Sequence, residues 1–353
     1  MLIRPMQADD LPGLLQLAEA AGIGVTTLQP DAERLARRIA ASCDSFSGKP
    51  ELGDACYLFA LEDETNERLA GICAIEAAVG MHDTWYNYRV GLSVHASREL
   101  GIYKRLQTLF LTSDLTGASE LCTLFLHPDY RRDSNGALLS KCRFLFMAEY
   151  PERFSDRVIA EMRGVSDEAG RSPFWESLGR HFFKMDFARA DFLSYVGSKS
   201  FIAELMPKYA IYTCLLSEEA QASIGEVHPG TKPARSMLES EGFRYQGYID
   251  IFDGGPSLEC STRDIRAVRK SAVFDALAVA AEPRQATLWM VSNRKLGEFR
   301  ATLAWTRPLE DSLPLTDTVL ARLGIANGDQ VRAVPLSARS QGAADTTRST
   351  EQS

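Results

Sequence analysis

The sequence predicts an α/β fold of α+β character: a mixed sheet flanked by helices, with a small β-rich appendix at its C-terminal end. Strand-like apolar runs alternate with helical patterns up to about residue 270, as in a sheet covered by helices. Beyond Ser271 the runs shorten to segments such as ATLWMV and FRATLAW, separated by turns. The 353 residues are 45% hydrophobic and 24% charged, enough apolar material for one large or two ordinary domains.

Residues 1–5 read as a first strand. Asp9 or Asp10 can cap the next helix, with Pro12 in its first turn and Leu11, Leu14, Leu15 and Ala18 at helical spacing. Gly22 and Gly24 are expected to end it. A second helix is expected over 31–42, with Leu35, Ala36 and Ile39 on one face. YLFAL (57–61) and LAGICAIEAAV (69–79) flank a polar turn and predict a hairpin. Segment 85–113, rich in Tyr, Val, Leu and Thr, predicts further strands and a short helix near 96–100. ELCTLFL (120–126) is a buried strand, and a loop leads from it to a helix over 136–149. A strand is expected over 157–165. Ser172 and Pro173 open a helix expected to reach Phe183. A helix over 231–241 stops at Gly242, and YQGYIDIF returns as a strand. In the appendix, TDTVLARLG predicts a small helix before GDQVRAVPL. The small polar residues 337–353 predict a disordered tail, so the expected division is 1–270, 271–336 and 337–353.

A net charge of −8 argues against a nucleic-acid partner, which needs a basic footprint. No apolar run reaches the ~18 residues of a membrane span, and the first residues lack the basic and apolar regions of a signal peptide. The seven cysteines are widely spaced without a CxxC pair, and read as reduced thiols of a cytoplasmic protein.

The segment ELCTLFLHPDYRRDSNGALLSKCRFLFMAE carries the chemistry. Backbone N–H groups at the start of a helix lack intrahelical acceptors and favour anions, and Arg131 and Arg132 add positive charge. This is the outline of a pyrophosphate cradle. It resembles the acyl-CoA motif of the GNAT N-acyltransferase superfamily, Arg/Gln-x-x-Gly-x-Gly/Ala, read here as Arg131-Arg132-Asp133-Ser134-Asn135-Gly136. Gly136 keeps the second glycine. Ser134 replaces the first, and its Cβ makes positive φ costly, so a cradle of altered shape is expected. The order strand–helix–helix–hairpin–strand also fits a GNAT-like domain.

WYNYRVGLSVHAS, TSDLTGASELCTLFL, EMRGVSDEAGRSPFWESLGRHFFKMDF, FIAELMP, IGEVHPGTKPA and EGFRYQGYIDIFDGGP are similar to arginine N-succinyltransferases. The similarity covers nearly all of 1–269 and is closer to the β-type subunit known from pseudomonads than to its α-type partner. The resemblance implies transfer of a succinyl group from succinyl-CoA to the α-amino group of L-arginine, the first step of an arginine-degrading route. The amine attacks the thioester directly, and succinyl-CoA is a co-substrate; neither a metal nor a prosthetic group is implied. His228, in the VHP segment, is implied as the proton donor. Leu124 is implied as the acyl-CoA contact on the central strand, and strand alternation adds Leu126. Arg131, Arg132 and Gly136 complete the expected acyl-CoA set. A homo-oligomer, or a hetero-oligomer with a paralogous α-type subunit, is the implied assembly.

An arginine acceptor calls for carboxylates, and Glu161, Asp167, Asp250 and Asp253 are candidates. For the succinyl carboxylate the candidates are Arg89, Arg163 and Arg171. Cys122 could act as an acyl acceptor, but a strand cysteine is more often inert. The other histidines, His82, His95, His127 and His181, read as surface, loop or helix-face residues. The WYNY segment reads as a core strand, a ligand wall or a subunit contact. Two other functions compete: a non-catalytic or regulatory subunit of a heteromeric acyltransferase, and an acyltransferase that prefers ornithine.

Overall fold

The structure, a computed structural model, describes residues 1–21, 28–187, 189–190 and 204–337. β1 (Leu2–Pro5) leads through a 3₁₀ turn into α1 (Leu11–Ala21), and Gly22 and Gly24 lie outside the described residues. α2 (Ala32–Phe46) starts at Asp31, whose carboxylate accepts from the Arg34 N–H. It runs four residues past the expected end because Ser45 and Phe46 are buried. The Phe46 ring packs edge-on against Tyr57 and Phe59 of β2 (Cys56–Asp63). β2 and β3 (Arg68–Glu76) form the expected hairpin.

β4 (Asn87–Ser97) and β5 (Ile102–Thr112) pair along their whole lengths as a long hairpin. The helix expected near 96–100 is therefore absent. Ala96 and Ser97 still pair across to β5, and the chain turns at Gly101, whose φ of 64° suits glycine. β6 (Ser119–Leu126) and α3 (Asn135–Glu149) follow as expected. β7 (Arg157–Glu161) stops four residues short of the expected 165. Its pairing with β10 (Pro256–Ser261) ends at Ser257↔Glu161, and Gly164 bridges Val227 instead.

The helix expected from 172 to 183 is two pieces, α4 (Pro173–Ser177) and α5 (Gly179–Phe183). Ser172 caps the first by accepting from Trp175 N–H. Leu178 leaves the helical conformation, and the chain then presses Gly179 onto the Trp175 ring, where a Cβ would lie 2.2 Å from a ring carbon. β8 (Ile211–Tyr212), α6 (Glu218–Ser223), α7 (Lys232–Glu241), β9 (Arg244–Ile249) and α8 (Arg266–Lys270) complete this part. Gly242 ends α7 with φ 114°, as expected of a glycine C-cap.

The C-terminal strands are β11 (Ala272–Val279), β12 (Thr287–Ser292), β13 (Ala301–Thr306), β14 (Ser312–Thr316) and β15 (Gln330–Pro335), with α9 (Asp317–Leu323) before the last. They do not form a separate sheet. β13 pairs with β1 at Ala301↔Ile3, giving one mixed sheet in the order β14-β11-β15-β12-β13-β1-β2-β3-β6-β7-β10-β9-β4-β5-β8. The expected tail lies outside the described residues except for Ser337. Among the described residues no helix is long and apolar enough to cross a membrane.

α1 and α2 cover one face of the sheet, where Leu35 and Ile39 meet Leu58, Ile72 and Cys122. α3, α7 and α8 cover the other, with Leu138, Leu145 and Leu238 against Phe59, Ile75 and Leu121. α3 is buried almost all round because Met290, Phe299 and Val334 of the C-terminal part join the same cluster. Its Lys141 lies 2.9 Å from the fully buried Glu241, which also pairs with Arg266 at 2.7 Å and accepts from Ala267 N–H.

Candidate active site

β6 and β7 pair in parallel only at Ser119↔Val158 and Glu120↔Ile159. Beyond that point β6 runs on to Leu126 without β7, and a cavity of about 1630 Å³ occupies the opening. That exceeds the ~300–1,000 Å³ of a pocket for one small ligand. Leu124, Leu126, Arg131, Arg132, Gly136 and His228 all line it. Every lining residue lies between Ala18 and Asp253, so none comes from the C-terminal strands.

The strand beside the opening is bent. Ala74 of β3 pairs with Cys122 and Ile72 with Phe125, so Thr123 and Leu124 together oppose Cys73. Thr123 carries the distortion with φ 51°, a left-handed conformation that costs a β-branched residue about 1–3 kcal/mol. Two arginines hold it from opposite faces. Arg38 of α2 donates to Thr123 Oγ1 at 2.9 Å. Arg143 of α3 donates to the carbonyls of Ala74 and Cys122 at 3.2 and 3.4 Å, one on each strand of the break. Both arginines line the cavity.

At the far end of β6, residues 127–134 form the loop that opens α3. Asp133 and Ser134 both adopt positive φ, 52° and 63°. The serine thus takes the left-handed conformation a glycine would supply, and the cradle of altered shape expected from its Cβ is not required at this position. Asn135 Nδ2 donates to the Tyr130 carbonyl at 3.1 Å, and Arg131 Nε to the Leu126 carbonyl at 3.2 Å, closing the loop on the strand. A Cβ added to Gly136 would meet only Leu126, at 3.7 Å, so the cavity floor there is open backbone. From Gly136 the cavity follows α3 inwards through Leu139 and Arg143, one face of the helix at i, i+3 and i+7.

His228 lines the cavity beside Arg163. Its backbone N–H donates to the Arg163 carbonyl at 2.9 Å, and its Nδ1 accepts from Gly230 N–H at 3.1 Å. An accepting Nδ1 fixes the neutral tautomer with its proton on Nε2. Partial burial, and then the nearby Arg163 guanidinium, hold its pKa below the ordinary 6.5. Asp253 anchors the loop behind it. Its carboxylate accepts from Gly164 N–H at 2.6 Å and Gly255 N–H at 2.8 Å, and Gly225 N–H donates to the Gly254 carbonyl at 2.8 Å.

Of the candidate acids, Glu161, Asp250 and Asp253 line the cavity. Asp167 does not; it is tied to Arg171 at 2.9 Å on the surface. Of the candidate arginines, Arg163 lines the cavity, whereas Arg89 donates to the Tyr248 hydroxyl and Arg171 to Asp167. Glu76, Glu120, Arg38 and Arg143 also line it, and none was singled out by sequence, since a lone charge in an apolar pattern has no signature. Burial, then Glu120 and Glu76, push the Cys122 thiol far up, which does not favour a nucleophilic thiolate. Of the WYNY residues, Trp85 and Tyr86 line the cavity and Tyr88 is a core residue. His82 also lines the cavity; His95, His127 and His181 do not. Among the described residues no three His, Cys, Asp or Glu side chains are grouped to hold a metal.

Residues 1–267 match the family described as arginine N-succinyltransferase beta subunit, and 274–335 match its C-terminal domain. The arginine N-succinyltransferase subunit beta of Pseudomonas aeruginosa is 53% identical over 342 residues, spanning 97% of this chain and all of the relative. The arginine N-succinyltransferase of Citrobacter koseri is 54% identical over 338 residues, spanning 96% of this chain and 98% of the relative. Among solved structures, arginine/ornithine succinyltransferase subunit AI of Pseudomonas aeruginosa superposes with a TM-score of 0.87 at 38% identity, covering 95% and 98% of the two chains. The chain belongs to the arginine N-succinyltransferase beta subunit family.

Proposed function

We propose that this protein transfers succinyl from succinyl-CoA to the α-amino group of L-arginine, releasing CoA and N2-succinyl-L-arginine. The observation that carries the reading is family membership along 97% of the chain, joined to a large cavity where β6 and β7 part. The pyrophosphate is assigned to the 131–136 loop, because Arg131, Arg132 and the residues that open α3 line the cavity. The pantetheine follows Leu139 inwards, and the thioester sits against Thr123 and Leu124. The acceptor amine, uncharged, attacks the thioester carbonyl; nitrogen bonds to carbon and the C–S bond breaks. As the amide forms the nitrogen gives up one proton and the departing sulfur takes one up, so CoA leaves as the thiol. His228, neutral with its proton on Nε2, donates a hydrogen bond to the departing sulfur. Much of the acceleration comes from holding the two reactants together.

Ser134 in the left-handed conformation supports this reading over a non-catalytic subunit, because the loop keeps a cradle despite the missing glycine. The reaction is cytoplasmic, and the assembly is a homo-oligomer or a hetero-oligomer with a paralogous α-type subunit. Exposed apolar residues on the β4–β5 hairpin, Leu92, Val94 and Tyr103 among them, support an assembly. The C-terminal unit, 271–336, is a scaffold, since it lends the cavity no residue. Ornithine is a second acceptor to test, because the solved relative is named for both amino acids. The assay follows CoA release with a thiol reagent, using succinyl-CoA or acetyl-CoA with arginine or ornithine. Succinyl-CoA with arginine is expected to give the highest kcat/KM. Absence of CoA release with every pair, alone and with a paralogous partner chain, refutes the assignment.

A further inference from the structure

Among the described residues that line the cavity, Arg143 is a buried cation whose hydrogen bonds go to neutral groups. Arg143 is 2% exposed, and its hydrogen bonds go to the Ser140 carbonyl and hydroxyl and to the carbonyls of Ala74 and Cys122. A buried guanidinium without a carboxylate partner is costly to keep for packing alone, since an apolar side chain of similar volume would serve as well. Its two strand contacts fall on the pair that flanks the register break, where ladder hydrogen bonding between β3 and β6 is interrupted. The next residue, Thr123, is in the left-handed region and is tied on the opposite face by Arg38. Left-handed backbone at a β-branched residue persists only when its surroundings over-determine it. Arg143 also closes the line Gly136, Leu139, Arg143 that leads from the loop to the bend. Seven residues of helix separate the first and last of these, about 10 Å at 1.5 Å per residue.

From this we propose that Arg143 is a positioning residue for acyl transfer: by pinning Ala74 and Cys122 across the register break, it fixes the bent Thr123–Leu124 backbone against which the thioester carbonyl is held. The inference rests on the reading that succinyl-CoA binds along this cavity. Arg143 acts through the strand and makes no contact with the acyl group. Its loss therefore slows the chemical step without releasing the nucleotide end of CoA, which is held at the 131–136 loop.

The test compares Arg143→Met and Arg143→Lys with the unmodified protein. Steady-state kinetics are measured with succinyl-CoA and with acetyl-CoA, and CoA binding by calorimetry. Arg143→Met is expected to lower kcat on the order of 10²-fold with both donors, the scale of a displacement near 1 Å in a reacting pair. The Kd for CoA is expected to stay within about threefold. Arg143→Lys, which keeps one donor and the charge, is expected to recover part of the loss. Adding Thr123→Gly to Arg143→Met is expected to restore part of kcat, because glycine adopts positive φ without the clamp. If Arg143→Met does not fold, Arg143→Lys is measured with and without Thr123→Gly under the same criteria. Unchanged kcat in a folded variant overturns the proposal. So does a parallel loss of CoA affinity, which would make Arg143 a direct contact. A loss confined to succinyl-CoA also overturns it, since that would make Arg143 the receptor for the acyl carboxylate. Failure of the unmodified protein to use succinyl-CoA overturns instead the reading beneath it.

Discussion

Replacing Glu241 by alanine tests how the helix that carries the acyl-CoA loop is held. Glu241 is fully buried at the end of α7 and has three partners: Lys141 on α3, Arg266 on α8, and the Ala267 N–H. Lys141 is itself 8% exposed, and its ammonium also donates to the Leu336 carbonyl at 3.1 Å. Removing the carboxylate leaves Lys141 as a buried charge without its counter-ion, which costs about 3–5 kcal/mol. The orphaned Ala267 N–H adds on the order of 1 kcal/mol or more. Arg266 adds less, because at 13% exposure it reaches some solvent and keeps the Pro335 carbonyl at 3.0 Å. A total of about 4–6 kcal/mol is a large share of the 5–15 kcal/mol of a typical fold. Urea unfolding followed by tryptophan fluorescence measures it as a fall in the midpoint at constant slope. The double variant Lys141→Met with Glu241→Leu removes both charges and is expected to recover most of the loss. A loss below about 1 kcal/mol in Glu241→Ala, or a double variant as unstable as the single, would refute the electrostatic reasoning.

Four further expectations concern the site. The fraction of neutral His228 falls as pH drops through a value below 6.5, so log kcat should be level through neutrality and decline on acidification; a rise on acidification would show that the imidazolium is the working form. His228→Ala should lower kcat roughly 10²-fold. Ser134→Gly relieves a left-handed serine and should raise stability by about 1 kcal/mol in thermal unfolding with CoA affinity retained; a stability loss would mean that the side chain, not the backbone, shapes the loop. Cys122→Ser should keep kcat within about threefold, and abolished turnover in a folded variant would restore the acyl-enzyme route.

The parts legible in sequence were those fixed by local chemistry. Ser172 caps its helix as its side chain allows, Gly242 ends α7, and the loop before α3 lies within a residue of its expected place. The six expected site residues share one cavity because motif and fold both place them around the opening. What escaped the sequence depends on distant partners. The end of β7 is set by where β10 begins, nearly a hundred residues on, and the break at Leu178 by the Trp175 ring under Gly179. The turn expected to be helical, 96–100, lies at the tip of a hairpin whose exposed apolar residues blur the alternation that marks a strand. Arg38 and Arg143 gave no signal, because a strand bend shows only once β3 and β6 are paired.

The pairing of β1 with β13 bears on how the chain reaches this fold. β1 is made before β2 and can join it as soon as the hairpin residues emerge, yet its other edge waits for Ala301. During synthesis at ~5–20 residues per second, that edge stays without its partner for roughly 15–60 s. A growing chain with an open apolar strand edge is a template for pairing with its neighbours. Truncation before residue 301 should therefore lower soluble yield even though every cavity residue is present, and slow refolding should track the closing of this junction.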